Sequence, residues 1–140
     1  TILKKRENYR RAFQGFEPAK VAAYDDNDVA RLMADAGIIR NQAKIRSAIN
    51  NANVFVEHFG DDEDAFSDFL WGFVGGEPIV NQRKTMEDIT VVTDASTEMS
   101  KALKKLGFTF IGPTTCYAMM QCAGMVDDHL VTCFRHTLNR

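Results

Sequence analysis

The segment "LMADAGIIRNQAKI", Leu32 to Ile45, decides how this chain folds. The residues up to Ala36 have helical spacing, Gly37 is typical of a left-handed residue that ends a helix, and the pattern becomes helical again from Asn41. An ordinary surface connector is polar and has no reason to be this short, whereas this one contains two isoleucines. The segment therefore predicts two helices joined by a tight turn.

Apolar residues recur at helical spacing along the rest of the chain. The longest stripe ends at Gly60, and a shorter one ends at Gly107. Residues 89–92 could form a strand, but an isolated strand would have no partner. No repeat, linker or low-complexity tract divides the sequence, so we expect one all-α domain over residues 1–140.

The composition is that of an ordinary globular protein. The 140 residues are 45% hydrophobic and 26% charged, with a net charge of −2. No apolar run approaches the roughly 18 residues that a bilayer requires, so we expect no membrane contact. Three cysteines, an odd number at low density, favour the reducing cytoplasm. The chain opens inside a helical pattern, which suggests further residues before Thr1.

The tight turn has the features of an anion site. The end of one helix and the start of the next expose backbone N–H groups that have no partner within a helix. Gly37 permits the turn, Ile38 and Ile39 can bury themselves between the helices, and Arg40 and Lys44 add positive charge. Such a site would hold a DNA backbone without reading its sequence. The plainer alternative, a glycine cap with two core isoleucines, is favoured by spacing alone.

A second candidate site lies in "HLVTC". His129 and Cys133 are four residues apart, which would place them on one face of a helix. Both are zinc ligands, but a structural zinc requires four, and the remaining residues offer no convincing second pair. From spacing alone, a buried cysteine and an ordinary histidine are the favoured interpretation. Asp127 and Asp128 could form an acid pair, although a helix N-cap is the simpler interpretation.

Four segments carry a resemblance to a known family. They are "TILKKRENYRRAF", "DAGIIRNQAKI", "FLWGFV" and "SKALKKLGFTFIGPTTCYAMMQCAGMVDDHLVTC". In this order they resemble DNA-3-methyladenine glycosylase I, over nearly the whole chain. That family belongs to the helix-hairpin-helix DNA glycosylases, all-α enzymes whose hairpin holds the phosphates of damaged DNA. The resemblance implies that Gly37, Ile38, Ile39, Arg40 and Lys44 form the DNA-binding hairpin.

The resemblance also implies a structural zinc. The family holds it with a Cys and a His near the N-terminus, together with a His and a Cys that match His129 and Cys133. The N-terminal pair, and the glutamate and tryptophan of the family's base pocket, precede Thr1. We therefore assign no catalytic residue within residues 1–140, and we expect these residues alone to be inactive and to hold zinc only with ligands from outside them.

The function implied is that of a monomeric repair glycosylase acting on double-stranded alkylated DNA. It would flip 3-methyladenine out of the duplex and hydrolyse its N-glycosidic bond. Methylation at N3 leaves the base positively charged, so the bond is weak and no strong acid–base pair is needed. The alternative is a non-catalytic helix-hairpin-helix module that binds DNA or protein. A helical scaffold protein is a third interpretation.

Overall fold

The computed structural model describes residues 1–60, 62 and 64–139. Seven α-helices occur in these residues: α1 (Arg6–Ala12), α2 (Pro18–Ala22), α3 (Asp26–Ala34), α4 (Gln42–Phe59), α5 (Ala65–Trp71), α6 (Asp94–Leu106) and α7 (Pro113–Cys122). Short 3₁₀ turns accompany them at Leu3–Lys5, Gln14–Phe16, Gly72–Val74, Met86–Asp88 and Thr137–Asn139. Within this part of the chain, no helix combines the length and the apolar character needed to cross a membrane.

The strands are minor. In the described residues, β1 (Ile79–Val80) and β2 (Val126–Asp127) have two residues each and pair in parallel. A pair of this length cannot support a core, so packing must come from the helices. The all-α prediction is therefore confirmed. Residues 89–92 do not form a strand.

The chain divides into two compact units. The first comprises residues 1–61 and 106–110, and the second comprises residues 62–105 and 111–140. The prediction of one domain over residues 1–140 stays a prediction.

In the first unit, α2 and α3 pack against α4. The buried side chains that form its core are Ala12, Phe13, Val21, Val29, Leu32, Ile38, Ile45 and Ala52. Ile45 and Ala52 belong to the apolar stripe that the sequence places before Gly60. Removing such side chains from water supplies most of the stability of a helical unit, because short helices are marginal in isolation.

Side-chain caps set the boundaries of α3 and α4. The Asp25 carboxylate accepts hydrogen bonds from the backbone N–H groups of Asn27 (2.8 Å) and Asp28 (3.1 Å), and the Asp28 carboxylate accepts one from the Asp25 N–H (3.3 Å). Asn41 caps α4 by accepting from the Lys44 N–H at 3.0 Å. Asp and Asn favour the N-cap position, so the residue types at Asp25 and Asn41 fit these starts.

In the second unit, a hydrogen bond links α6 to the start of α7. The Ser100 hydroxyl donates to the carbonyl of Ile111 at 2.7 Å. The buried apolar side chains of this unit are Met99, Leu103, Cys116, Tyr117, Met120, Met125 and Val126. Helical spacing predicted an apolar face on each of the two helices. Met99 and Leu103 of α6 and the predicted residues of α7 are buried, whereas Ala102 and Leu106 are only partly buried.

Residues 126–133 do not form the helical turn that their spacing suggested. They run beside residues 79–83, where the Asn81 N–H donates to the Asp127 carbonyl (3.0 Å) and the Val131 N–H donates to the Arg83 carbonyl (2.8 Å). Backbone groups engaged with a distant segment cannot also make helical hydrogen bonds. The prediction that His129 and Cys133 share a helical face is therefore wrong.

Candidate functional site

The turn between α3 and α4, called the hairpin below, is built around Gly37. The reason for the glycine is not the one expected from the sequence. Gly37 does not have a left-handed conformation, so the prediction of a left-handed cap is wrong. Its N–H donates to the Asp35 carboxylate at 2.7 Å. A Cβ atom added at Gly37 would lie 2.9 Å from Asp35 Oδ1 and 3.3 Å from Asn8 Cβ. The position therefore favours glycine because its neighbours approach closely.

The two isoleucines have different environments. Ile38 is 3% exposed and belongs to the core of the first unit, as predicted. Ile39 is 44% exposed, so the prediction that it is buried is wrong. Its backbone N–H donates to the hydroxyl of Tyr9 at 3.0 Å.

The unpaired N–H groups of the hairpin lie after the isoleucines. The Ile38 N–H donates to the Asp35 carbonyl (3.4 Å), and the Asn41 N–H donates to the Ile39 carbonyl (3.0 Å). Among the described residues, the N–H groups of Arg40, Gln42 and Ala43 have no acceptor. These amides gather at the N-terminus of α4, where the helix dipole favours an anion.

Two cations adjoin these amides. The side chains of Arg40 and Lys44 are exposed, and within the described part of the chain neither is in an ion pair. Their charge is therefore available to an incoming anion. Three unpaired donors together with two free cations can bind a phosphate group.

Side chains at the start of α1 and in the 3₁₀ turn before it hold the hairpin, and the sequence did not reveal this contact. Lys5 Nζ donates to the carbonyls of Ala36 (3.2 Å) and Gly37 (3.1 Å), and Asn8 Nδ2 donates to the Gly37 carbonyl (3.2 Å). Lys5, Asn8 and Tyr9 have the spacing of one helical face. That spacing is visible in the sequence, but nothing local identifies the partner, which lies about 30 residues further on.

His129 and Cys133 come together by a different route from the one predicted. Both line a cavity of about 460 Å³, whose other walls are Met86, Ile89, Gln121, Cys122, Val126, Asp128 and Leu130. His129 Nδ1 lies 2.7 Å from Asp127 Oδ1. A carboxylate only accepts hydrogen bonds, so Nδ1 of His129 donates to Asp127; in the neutral imidazole this arrangement leaves the lone pair on Nε2.

The hydrogen bond between His129 and Asp127 is of a kind that suits a metal-bound histidine. A metal-bound histidine usually donates its second ring nitrogen to a carboxylate, as His129 does to Asp127. Cys133 Sγ accepts a hydrogen bond from the Arg135 N–H at 3.4 Å. In the described residues, no group of three or more His, Cys, Asp or Glu side chains could hold a metal ion. On the described residues, His129 and Cys133 would supply at most part of a ligand set.

Asp127 is fully engaged by its neighbours. Its Oδ1 also accepts from the His129 N–H (3.1 Å), and its Oδ2 accepts from the backbone N–H (2.7 Å) and the hydroxyl (2.6 Å) of Thr137. Burial alone would raise the pKa of Asp127, but these hydrogen bonds outweigh burial and lower it. Asp127 is therefore an ionised acceptor and does not cap a helix.

Asp128 is the centre of a buried hydrogen-bond network. It accepts hydrogen bonds from the Tyr117 hydroxyl, from Gln121 Nε2 (2.9 Å), Asn81 Nδ2 (2.8 Å) and Arg83 Nε (3.0 Å). Burial opposes ionisation, but the four donors lower the pKa of Asp128. Burial and the neighbouring Asp128 raise the pKa of Tyr117 to about 12. Both predicted roles of the two aspartates, acid pair and N-cap, are wrong.

Together, the fold and the hairpin define an all-α protein with a candidate anion site. The methyladenine glycosylase family model matches residues 1–136, and the chain belongs to this family. The family and the fold inferred from the sequence are thereby confirmed.

Several relatives are similar over most of their length. The chain is 50% identical to DNA-3-methyladenine glycosylase 1 of Escherichia coli over 133 residues, which are 95% of this chain and 71% of the relative. It is 47% identical to DNA-3-methyladenine glycosylase of Haemophilus influenzae over 135 residues, again 95% and 71% of the two chains.

Solved structures give the same result. A crystal structure of 3-methyladenine DNA glycosylase I superposes with a TM-score of 0.92 at 45% identity, covering 96% of this chain and 74% of the other. A structure of the Staphylococcus aureus enzyme, which addresses 3-methyladenine recognition, superposes with a TM-score of 0.88 at 39% identity, covering 94% and 70%.

Proposed function

We propose that this protein is a base-excision repair glycosylase that releases 3-methyladenine from alkylated double-stranded DNA, and that it acts as a monomer. The observation that carries the proposal is the match of residues 1–136 to the methyladenine glycosylase family. Relatives of 47% and 50% identity are named as DNA-3-methyladenine glycosylases. A point variant of one relative has been solved in complex with 3-methyladenine.

The chemistry requires little from acidic side chains. Methylation at N3 gives the adenine a positive charge, so the base leaves with the electrons of its glycosidic bond and becomes neutral. Water adds its oxygen to the sugar carbon and loses a proton. The leaving base needs no protonation, and the protein must mainly extrude, orient and surround it. The hydrogen bonds of Asp127 and Asp128 already commit these carboxylates to structure.

The hairpin would hold the DNA backbone. The amides of Arg40, Gln42 and Ala43 would donate to phosphate oxygens, while the side chains of Arg40 and Lys44 would add charge. Gly37, Ile38 and Ile39 would then shape the turn. Such contacts would position the duplex but would not read its sequence.

His129 and Cys133 would provide two ligands of a structural zinc. Nε2 of His129 and the thiolate of Cys133 are suitable donors, and two further ligands would complete a tetrahedral shell. The metal would contribute to folding and would take no part in the reaction. Free thiols at Cys116, Cys122 and Cys133 suit the cytoplasm, where we place the protein.

Product analysis tests the proposal. The full-length gene product is incubated with duplex DNA treated with a methylating agent, and the released bases are identified by chromatography. We expect free 3-methyladenine and an equal number of abasic sites. DNA binding without release would instead support a non-catalytic helix-hairpin-helix module. Absence of both binding and release would overturn both interpretations.

A further inference from the structure

The hydroxyl of Tyr9 lies at the hairpin with an unused donor. It accepts the hydrogen bond of the Ile39 N–H, and a phenol can also donate its own hydrogen. In the described part of the chain, no group accepts that hydrogen. The other tyrosine hydroxyls differ, since Tyr24 donates to the Ala12 carbonyl (3.4 Å) and Tyr117 donates to Asp128.

The position of this hydroxyl is fixed by its surroundings. The ring of Tyr9 stacks on the buried ring of Phe13, with centroids 6.3 Å apart and planes 20° apart. One residue before Tyr9, Asn8 donates to the Gly37 carbonyl, and Lys5 binds the same carbonyl from one turn earlier. These contacts hold α1 against the hairpin, so the hydroxyl is pre-positioned beside the backbone of Ile39.

We propose that Tyr9 is a DNA-binding residue that donates its hydroxyl hydrogen to a phosphodiester oxygen at the hairpin. The inference rests on the phosphate contact proposed above for Arg40 and Lys44. The next amide along the chain, that of Arg40, is unpaired, so the Tyr9 O–H and the Arg40 N–H are successive donors. The Ile39 N–H contributes indirectly. By donating to the oxygen of Tyr9, it polarises the phenol and makes the Tyr9 O–H a stronger donor.

A neutral donor leaves a distinctive signature in binding. Tyr9→Phe in the full-length protein should raise the Kd for any duplex about tenfold. This is the usual effect of losing one hydrogen bond to a charged group. The salt dependence of the Kd should not change, because a hydroxyl displaces no counterion. Lys44→Ala should reduce the salt slope by about one. Tyr24→Phe is the matched control and should leave the Kd unchanged.

Neutral methylphosphonate linkages separate direct contact from a structural role. They are placed one at a time along the duplex, and the Kd of the native protein and of Tyr9→Phe are compared. At one linkage the tenfold difference should vanish, because the oxygen that Tyr9 contacts has lost its charge. If Tyr9→Phe only loosened the hairpin, binding to every duplex would be weakened equally, wherever the neutral linkage stands. The comparison between linkage positions therefore remains valid even if Tyr9→Phe lowers the melting temperature.

Two results would overturn the inference. One is an unchanged Kd for Tyr9→Phe, and the other is a tenfold loss that persists at every methylphosphonate position. If Lys44→Ala alters the salt slope while Tyr9→Phe has no effect, only the role of Tyr9 fails. If Lys44→Ala changes neither affinity nor slope, the hairpin contact fails and the role of Tyr9 fails with it.

Discussion

Asp127 and His129 are joined by two hydrogen bonds to one oxygen. Oδ1 of Asp127 accepts from the ring Nδ1 of His129 at 2.7 Å and from its backbone N–H at 3.1 Å. These hydrogen bonds fix the orientation of the imidazole. In its neutral form Nε2 would be the atom available to the proposed zinc, and Cys133 lines the same cavity.

We expect His129→Ala and Cys133→Ser to remove zinc from the full-length protein. Each variant would delete one ligand of the proposed four-ligand site, and three ligands hold zinc far less tightly. Zinc content after dialysis is the measurement. Cys122→Ser is the matched control, because Cys122 lines the same cavity and is exposed. Full zinc content in both ligand variants would contradict the assignment.

Asp127→Ala should weaken zinc binding about 10- to 100-fold without removing a ligand, the usual effect of losing the carboxylate behind a metal-bound histidine. Competition with a chelator gives the affinity. Thr137→Val serves as the control, since it removes a hydrogen bond to the same carboxylate but does not touch His129. Equal affinities in Asp127→Ala and the native protein would show that orientation by Asp127 is unimportant.

Stability should fall in acid because of Asp127 and Asp128. Their pKa values are lower in the folded protein than the unfolded value of about 3.9, so the unfolded chain binds more protons as the pH falls below roughly 4. Urea unfolding at several pH values should therefore show a falling free energy of unfolding. Asp128→Asn should show a smaller decline. Any contribution of a bound metal is the same in the native protein and in Asp128→Asn, so it cancels in the comparison. An equal fall of the free energy of unfolding in both proteins would contradict the role of Asp128.

Stability should also fall in alkali because of Tyr117. Its pKa is about 12 in the folded protein, against roughly 10 in an unfolded chain. The unfolded state therefore loses this proton first, and the contribution of Tyr117 disappears as the pH rises from about 10 to 12. Tyr117→Phe should show a weaker alkaline decline in urea unfolding. An identical decline in both proteins would refute this assignment.

Gly37→Ala should destabilise the protein by about 1–3 kcal/mol, the usual cost of overpacking. The new Cβ would meet Asp35 Oδ1 at 2.9 Å. Gly72→Ala is the control, because a Cβ there meets nothing within 4 Å and φ is −56°. Denaturant unfolding gives both values. In an Asp35→Ala background the cost should shrink, whereas an undiminished cost would point to backbone strain at Gly37.

Local signals in the sequence predicted the helical framework well. Asp25 and Asn41 mark the starts of α3 and α4, because capping is decided by residues within one turn. The turn itself was predicted less well. Ile39 is exposed and not buried, and its backbone N–H is bound by the hydroxyl of Tyr9, 30 residues earlier; no local pattern reveals such a partner.

Residues 126–133 show the same limit. The spacing from His129 to Cys133 is compatible with a helix, yet the segment pairs with residues 79–83, about 45 positions earlier. Tertiary pairing outweighed local propensity there. His129 and Cys133 nevertheless line the same cavity.

The rate of base release from a duplex with a single 3-methyladenine tests the central claim most directly. The full-length protein is used in excess over the duplex, and the rate is compared with spontaneous release from the same duplex without protein. We predict faster release of 3-methyladenine with protein and no release of unmethylated adenine. Release at the spontaneous rate, from duplex that the protein has demonstrably bound, would contradict the assignment as a glycosylase.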